Sequence, residues 1–136
     1  MNILVVEARY HAHVADRLTD GATAALDQGA ATFTRISVPG VLEVPAAIAL
    51  AARGPKPFEA YVALGCVIGG DAVPDTLYRE TIRALVHLGT QGVVIGNGVL
   101  LAGDERAALS LAGDAGGDAA RAALALATLR ERLAIL

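Results

Sequence analysis

The chain has 136 residues, 54% of them hydrophobic and 18% charged, with a net charge of −3, which is the size of one domain but more apolar than the roughly 45–50% of an average soluble one. Scattered arginines, a single lysine and no aromatic platform exclude nucleic-acid binding, and no Cys/His grouping has the spacing of a zinc site. Asp20, Arg53, Asp71 and Asp104 interrupt each apolar stretch short of the roughly 18–20 residues of a membrane span, and one cysteine, Cys66, forms no intrachain disulfide.

Ile3-Leu4-Val5-Val6 reads as a buried strand. No basic stretch precedes it, so it is expected to be a strand and not a secretory signal, with cytoplasmic residence as the default. From His13 to Gln28, apolar residues at helical spacing (Val14, Leu18, Ala22, Ala25, Leu26) predict a helix closed by Gly29. Phe33 to Val38 alternates as a second strand, Pro39-Gly40 turns, and Glu43 to Ala52 reads as a helix with Pro45 in its first turn. Ala60 to Val67 is the strongest strand signal. A loop from Gly69-Gly70 through Pro74 follows, then a helix from Asp75 to about Leu88. Gly92 to Gly96 is expected as the fourth strand. Asp104 begins a short helix to Leu111, Gly113 to Gly117 a turn, and Gly117 to Leu133 a final Ala/Leu-rich helix.

Strands that are nearly continuous apolar runs, alternating with helices, predict one α/β domain over residues 1–136. Its four-stranded parallel sheet is covered on both faces, giving three α/β/α layers. Ligands of such sheets bind beyond the carboxyl ends of the strands. Four segments are expected there: Glu7–His11, Pro39–Glu43, Ile68–Pro74 and Asn97–Leu100. The abundant alanine suits close helix packing and surface hidden against copies of the same chain.

Each segment carries a motif. These are Val5-Val6-Glu7-Ala8-Arg9-Tyr10, then Val38-Pro39-Gly40-Val41-Leu42-Glu43-Val44-Pro45, then Ala63 to Ile68 with Gly69-Gly70-Asp71, then Ile95-Gly96-Asn97-Gly98-Val99-Leu100. In order and spacing, the four together resemble the 6,7-dimethyl-8-ribityllumazine synthase family of riboflavin biosynthesis over nearly the whole chain. The resemblance implies a flavodoxin-like fold and a transferase without a cofactor. That enzyme condenses 5-amino-6-ribitylamino-uracil with 3,4-dihydroxy-2-butanone 4-phosphate, with loss of phosphate and water. It also implies a homo-oligomer, a pentamer or a multiple of pentamers, with pyrimidine and sugar-phosphate ligands held between neighbouring subunits.

Carried over position by position, Tyr10 stacks on the pyrimidine. Gly40, Val41 and Leu42 offer backbone groups to the ribityl chain, and Glu43 accepts from a ribityl hydroxyl. The backbone of Val67 and Ile68 reads the uracil edge, Gly70 and Asp71 follow in the loop, and Asn97 approaches the ring from the neighbouring subunit. Plainer readings stand beside these: Tyr10 as an aromatic packed at a strand end, Glu43 as an acid favoured at a helix start, Asn97 as a turn residue.

The phosphate half departs from the family. Gly69 stands where the family has an arginine, and Gly70-Asp71-Ala72 where it has Gly-Glu-Thr. Val73 or Pro74 stands in place of the family's histidine, Leu111 in place of a second arginine, and Gly116 or Gly117 in place of a lysine. Candidate substitutes are Arg79 and Arg83, the backbone N–H groups of Gly69, Gly70 and Asp71, and His11 for proton transfer; His11 and His13 also read as exposed residues before a helix. The expected activity is therefore an impaired synthase. The alternative is a non-catalytic lumazine- or flavin-binding paralogue, or a shell-forming one.

Overall fold

The computed structural model describes residues 1–136. Strand and helix alternate throughout: β1 (Asn2–Ala8), α1 (Ala12–Gln28), β2 (Thr32–Val38), α2 (Glu43–Ala52), β3 (Ala60–Ile68), α3 (Ala72–Thr90), β4 (Ile95–Ala102) and α4 (Glu105–Ala134). The strands form one parallel sheet in the order β2-β1-β3-β4. The period-2 alternation of each strand sends side chains to two separate cores. Ile3, Val5, Val62 and Leu64 pack beneath α1 and α4. Leu4, Val6, Tyr61 and Val67 pack against α2 and α3. The three-layer, flavodoxin-like sandwich expected from the sequence is the observed fold. No helix is long and apolar enough to cross a membrane.

From β1 the chain steps outward to β2, and from β3 it steps the other way to β4. The sheet thus changes direction between β1 and β3, and a crevice opens at the carboxyl ends of these two strands.

Three expectations need correction. The segment from Gly113 to Gly117 is no turn, because α4 runs unbroken from Glu105 to Ala134. Its glycines serve packing: a Cβ on Gly116 would stand 1.9 Å from the Leu18 carbonyl oxygen of α1, and one on Gly21 would stand 2.1 Å from that of Gly113. Alanines on both helices, among them Ala22, Ala25, Ala112 and Ala119, complete the close approach.

The fourth strand lies later than expected, over Ile95–Ala102 and not Gly92–Gly96, so Asn97–Leu100 sit within β4 and form no loop. Gly-Asn-Gly has turn composition, yet Gly96 is required by α4, whose Ala119 carbonyl oxygen would lie 1.8 Å from a Cβ there. Gly92, at φ +91°, makes the turn before the strand. Finally, α3 begins at Ala72, not after Asp75. Pro74 falls in its first turn, where a missing N–H costs no helical hydrogen bond.

Candidate active site

Glu7 is buried on β1, 2% exposed, beneath α1. Its carboxylate accepts from Arg9 at 2.7 Å, Thr19 at 2.9 Å and Arg35 at 3.0 Å. Burial pushes its pKa up, but the hydrogen bonds from Arg9, Thr19 and Arg35, with the Arg35 charge, outweigh burial and hold it below the ordinary carboxylate value. Arg9 is bracketed by Asp16 at 2.8 Å, and its own N–H donates to Val38. This ionic staple pins both ends of the β1–α1 connection. Between the pinned residues Tyr10 stands 80% exposed. It is not packed at the strand end; its one aromatic neighbour is His11, at 5.0 Å between ring centroids.

The β2–α2 connection is set by two contacts. Gly65 on β3 has no side chain because a Cβ would meet Val41 Cγ1 at 2.7 Å, so Val41 can lie on the sheet. The Glu43 carboxylate accepts from the Gly40 N–H at 2.9 Å, closing the turn at the start of α2. That is the plainer role considered for Glu43, and a carboxylate retains further acceptor capacity beyond it.

β3 outruns β1. Their pairing ends at Glu7 and Leu64, whereas β3 continues to Ile68. On the side facing β1, the backbone from Gly65 to Ile68 therefore has no strand partner. Unpaired N–H and C=O groups in a cleft must find a ligand or water.

These elements enclose a cleft of about 360 Å³ lined by Tyr10, His11, Gly40, Val41, Cys66, Val67, Ile68, Val73, Pro74 and Leu77. Mostly apolar walls with exposed backbone groups suit a flat heteroaromatic ring. Of the residues singled out in the sequence, Tyr10, His11, Gly40, Val41, Val67 and Ile68 come together here. Leu42, Glu43, Gly70 and Asp71 flank the cleft through the chain but do not line it. Asn97 belongs to a second groove, of about 510 Å³, beside the β4 edge with Val86, Leu126 and Arg130. It is no turn residue; it pairs with Ala63, and its side chain accepts from the Val99 N–H at 3.0 Å. Val73 and Pro74, from the expected segment Ile68–Pro74, line the cleft as well. Leu77 was not anticipated; it sits one helical turn beyond Val73, a spacing that shows only once α3 is known to start at Ala72.

The profile of the 6,7-dimethyl-8-ribityllumazine synthase family matches residues 1–131. The chain belongs to that family. It is 45% identical to the 6,7-dimethyl-8-ribityllumazine synthase of Sphingopyxis alaskensis, over 98% of both chains. It is also 45% identical to that of Novosphingobium aromaticivorans, over 95% of this chain and 96% of the relative. Identity to 6,7-dimethyl-8-ribityllumazine synthase 1 of Mesorhizobium japonicum is 44%, over 97% and 87%.

No arginine or lysine lines the cleft. Arg79 reaches Thr76 at 3.4 Å, and Arg83 lies by Glu80 on the exposed side of α3. Leu111 is half exposed on α4 and does not line the cleft either. The backbone of the β3–α3 loop is largely engaged: the Gly69 N–H donates to Ala102 at 2.8 Å and the Gly70 N–H to the Asp75 carboxylate at 3.1 Å. An internal carboxylate thus occupies a donor that an anion would otherwise use. The Cys66 thiol is no nucleophile at neutral pH, since burial, with a smaller contribution from the Glu105 charge, pushes it up to about 11.

Proposed function

We propose that this protein carries out the 6,7-dimethyl-8-ribityllumazine synthase condensation, slowly, joining 5-amino-6-ribitylamino-uracil to 3,4-dihydroxy-2-butanone 4-phosphate with loss of phosphate and water. The supporting observation is the cleft at the carboxyl ends of β1 and β3, which exposed Tyr10 lines together with Val67 and Ile68 of β3. In this reading Tyr10 stacks on the uracil ring and the backbone of Val67 and Ile68 reads its edge. Gly40, Val41 and Leu42 follow the ribityl chain, and Glu43 accepts from one of its hydroxyls while holding the turn. Holding two substrates in one cleft is itself a large catalytic effect. Slowness follows from the phosphate side, where Gly70, Asp71 and Asp75 offer no cation; each missing charge-assisted bond costs roughly 1.5–3 kcal/mol.

The same cation-free wall favours a second reading, a lumazine- or flavin-binding paralogue without turnover. Both readings take the protein as a cytoplasmic homo-oligomer, a pentamer or a multiple of one. Exposed Val86 and Leu126, which line the β4 groove, and exposed Leu129 and Leu133 on α4 are the apolar surface such assembly would bury. Asn97 on that groove could reach a Tyr10 cleft only on another copy, since its own cleft lies elsewhere on the chain.

Equilibrium titration with the ribitylamino-uracil tests the reading. Binding should weaken in Tyr10→Ala by about 0.5–1.5 kcal/mol beyond the lost area. Equal affinity of wild type and variant would remove Tyr10 from the pocket.

A further inference from the structure

We propose that His11 is the proton-transfer residue of this cleft, an inference that rests on the reading above. The walls leave few candidates. The β1–α1 connection contributes Tyr10 and His11, β3 contributes Cys66, and the residues from the β2–α2 connection (Gly40, Val41) and from α3 (Val73, Pro74, Leu77) cannot titrate. In that reading Tyr10 stacks on the uracil ring, and the Cys66 thiol is held protonated by burial.

Most carboxylates on flanking elements are engaged elsewhere, and Asp71, whose side chain makes no cap hydrogen bond, does not line the cleft. Glu43 accepts from Gly40 at 2.9 Å and Asp75 from Gly70 at 3.1 Å, while Glu7 and Asp16 hold Arg9 at 2.7 and 2.8 Å. His11 remains, and imidazole is the side chain suited to exchanging protons between about pH 5 and 8. Its position is fixed by the helix it starts: it is the N-cap of α1, and its carbonyl accepts from Ala15 at 2.9 Å. Its ring stands edge-on to Tyr10, centroids 5.0 Å apart at 83°, and both rings border the same cleft.

The chemistry of the two substrates defines the step. Once the butanone carbonyl at C2 has condensed with an amino group and released water, the hydrogen at C3 is acidic. Neutral His11 accepts that proton. The C–H electron pair forms the C3=C4 bond, and the C4–O bond breaks with its electrons leaving on phosphate. The imidazolium returns a proton to C4 as the resulting enol becomes a ketone. The enol hydroxyl proton passes through solvent to phosphate, which leaves as hydrogen phosphate, and His11 ends neutral.

Steady-state turnover in His11→Asn and His11→Gln tests this, Asn being a favoured N-cap that preserves the start of α1. The wild-type rate should show a pH-dependent step. Both variants should be slower by about 10²–10⁴-fold with that pH step gone, and imidazole added to the buffer should restore part of the rate. Product affinity should stay within about twofold of wild type, which a collapsed pocket would not allow. Variants that keep the wild-type rate and pH profile would overturn the assignment. So would a wild type that binds the ribitylamino-uracil but gives no turnover above background, leaving the binding reading intact. A wild type that fails to bind it would instead overturn the function proposed for the cleft.

Discussion

Gly116→Ala puts a methyl group where α1 and α4 touch backbone to backbone. The added Cβ would stand 1.9 Å from the Leu18 carbonyl oxygen, 2.8 Å from its carbon and 3.1 Å from the Ala22 nitrogen, against an ordinary contact of at least 3.4 Å. No rotamer change relieves this, so the helices must separate by about 1.5 Å, the difference between contacts of 1.9 and 3.4 Å. Overpacking of a core costs typically about 1–3 kcal/mol, and an obstacle made of backbone belongs at the top of that range. Higher helix propensity returns about 1 kcal/mol. The net loss is about 2 kcal/mol, or a fall in Tm of roughly 6–10 °C for a chain of this size. Gly113→Ala is the control: the same helix and the same gain in propensity, but nothing within 4 Å of the new Cβ. It should raise Tm by a few degrees. Scanning calorimetry of both variants reads the comparison directly. If Gly116→Ala is as stable as wild type, or both variants lose stability equally, the close crossing of an unbroken α4 over α1 is wrong.

Glu7→Gln should destabilise by about 2–3 kcal/mol, because it leaves Arg9 and Arg35 without their carboxylate, a loss moderated by their partial exposure. The folded-state pKa of Glu7 lies below its ordinary 4.5, so its contribution is complete above that value and is lost as pH falls through the folded-state value. The stability gap between wild type and variant should therefore close on acidification, and a gap unchanged down to acid unfolding would refute the network. Cys66, buried and held protonated, should resist thiol-specific reagents at neutral pH until the protein unfolds; rapid labelling of the native protein would contradict that burial. Native mass spectrometry should give a pentamer or a multiple of it at micromolar concentration, and monomer alone would remove the assembly.

Much of this fold was legible in the sequence because β1 and β3 carry long apolar runs, β2 alternates, and two of its helices, α1 and α2, show clear starts and stops. Two of the three errors share one physical origin; the third, the start of α3, comes from Pro74 falling within the first helical turn. Gly96, Gly98, Gly113 and Gly116 have the composition of turns, yet each glycine of Gly96 and Gly116 is there so that a second backbone can come close. Only tertiary packing distinguishes the two uses of glycine. The lining of the cleft was legible where motif residues sit at strand ends, as with Tyr10, Gly40, Val41, Val67 and Ile68. The staple that holds Tyr10 in place was not, since it joins Glu7 to Thr19 and Arg35 across three elements. Nor was the Asp75 bond to Gly70, which depends on where α3 begins.

Turnover measured with each substrate varied in turn, following lumazine fluorescence against the uncatalysed reaction, bears most directly on the proposed chemistry. The rate should exceed background, saturate with the ribitylamino-uracil, and stay close to linear in the butanone phosphate because its phosphate meets no cation in the cleft. Tight saturation by the butanone phosphate would show an anion site that this cleft does not contain, and a rate equal to background would leave a binding protein in place of an enzyme.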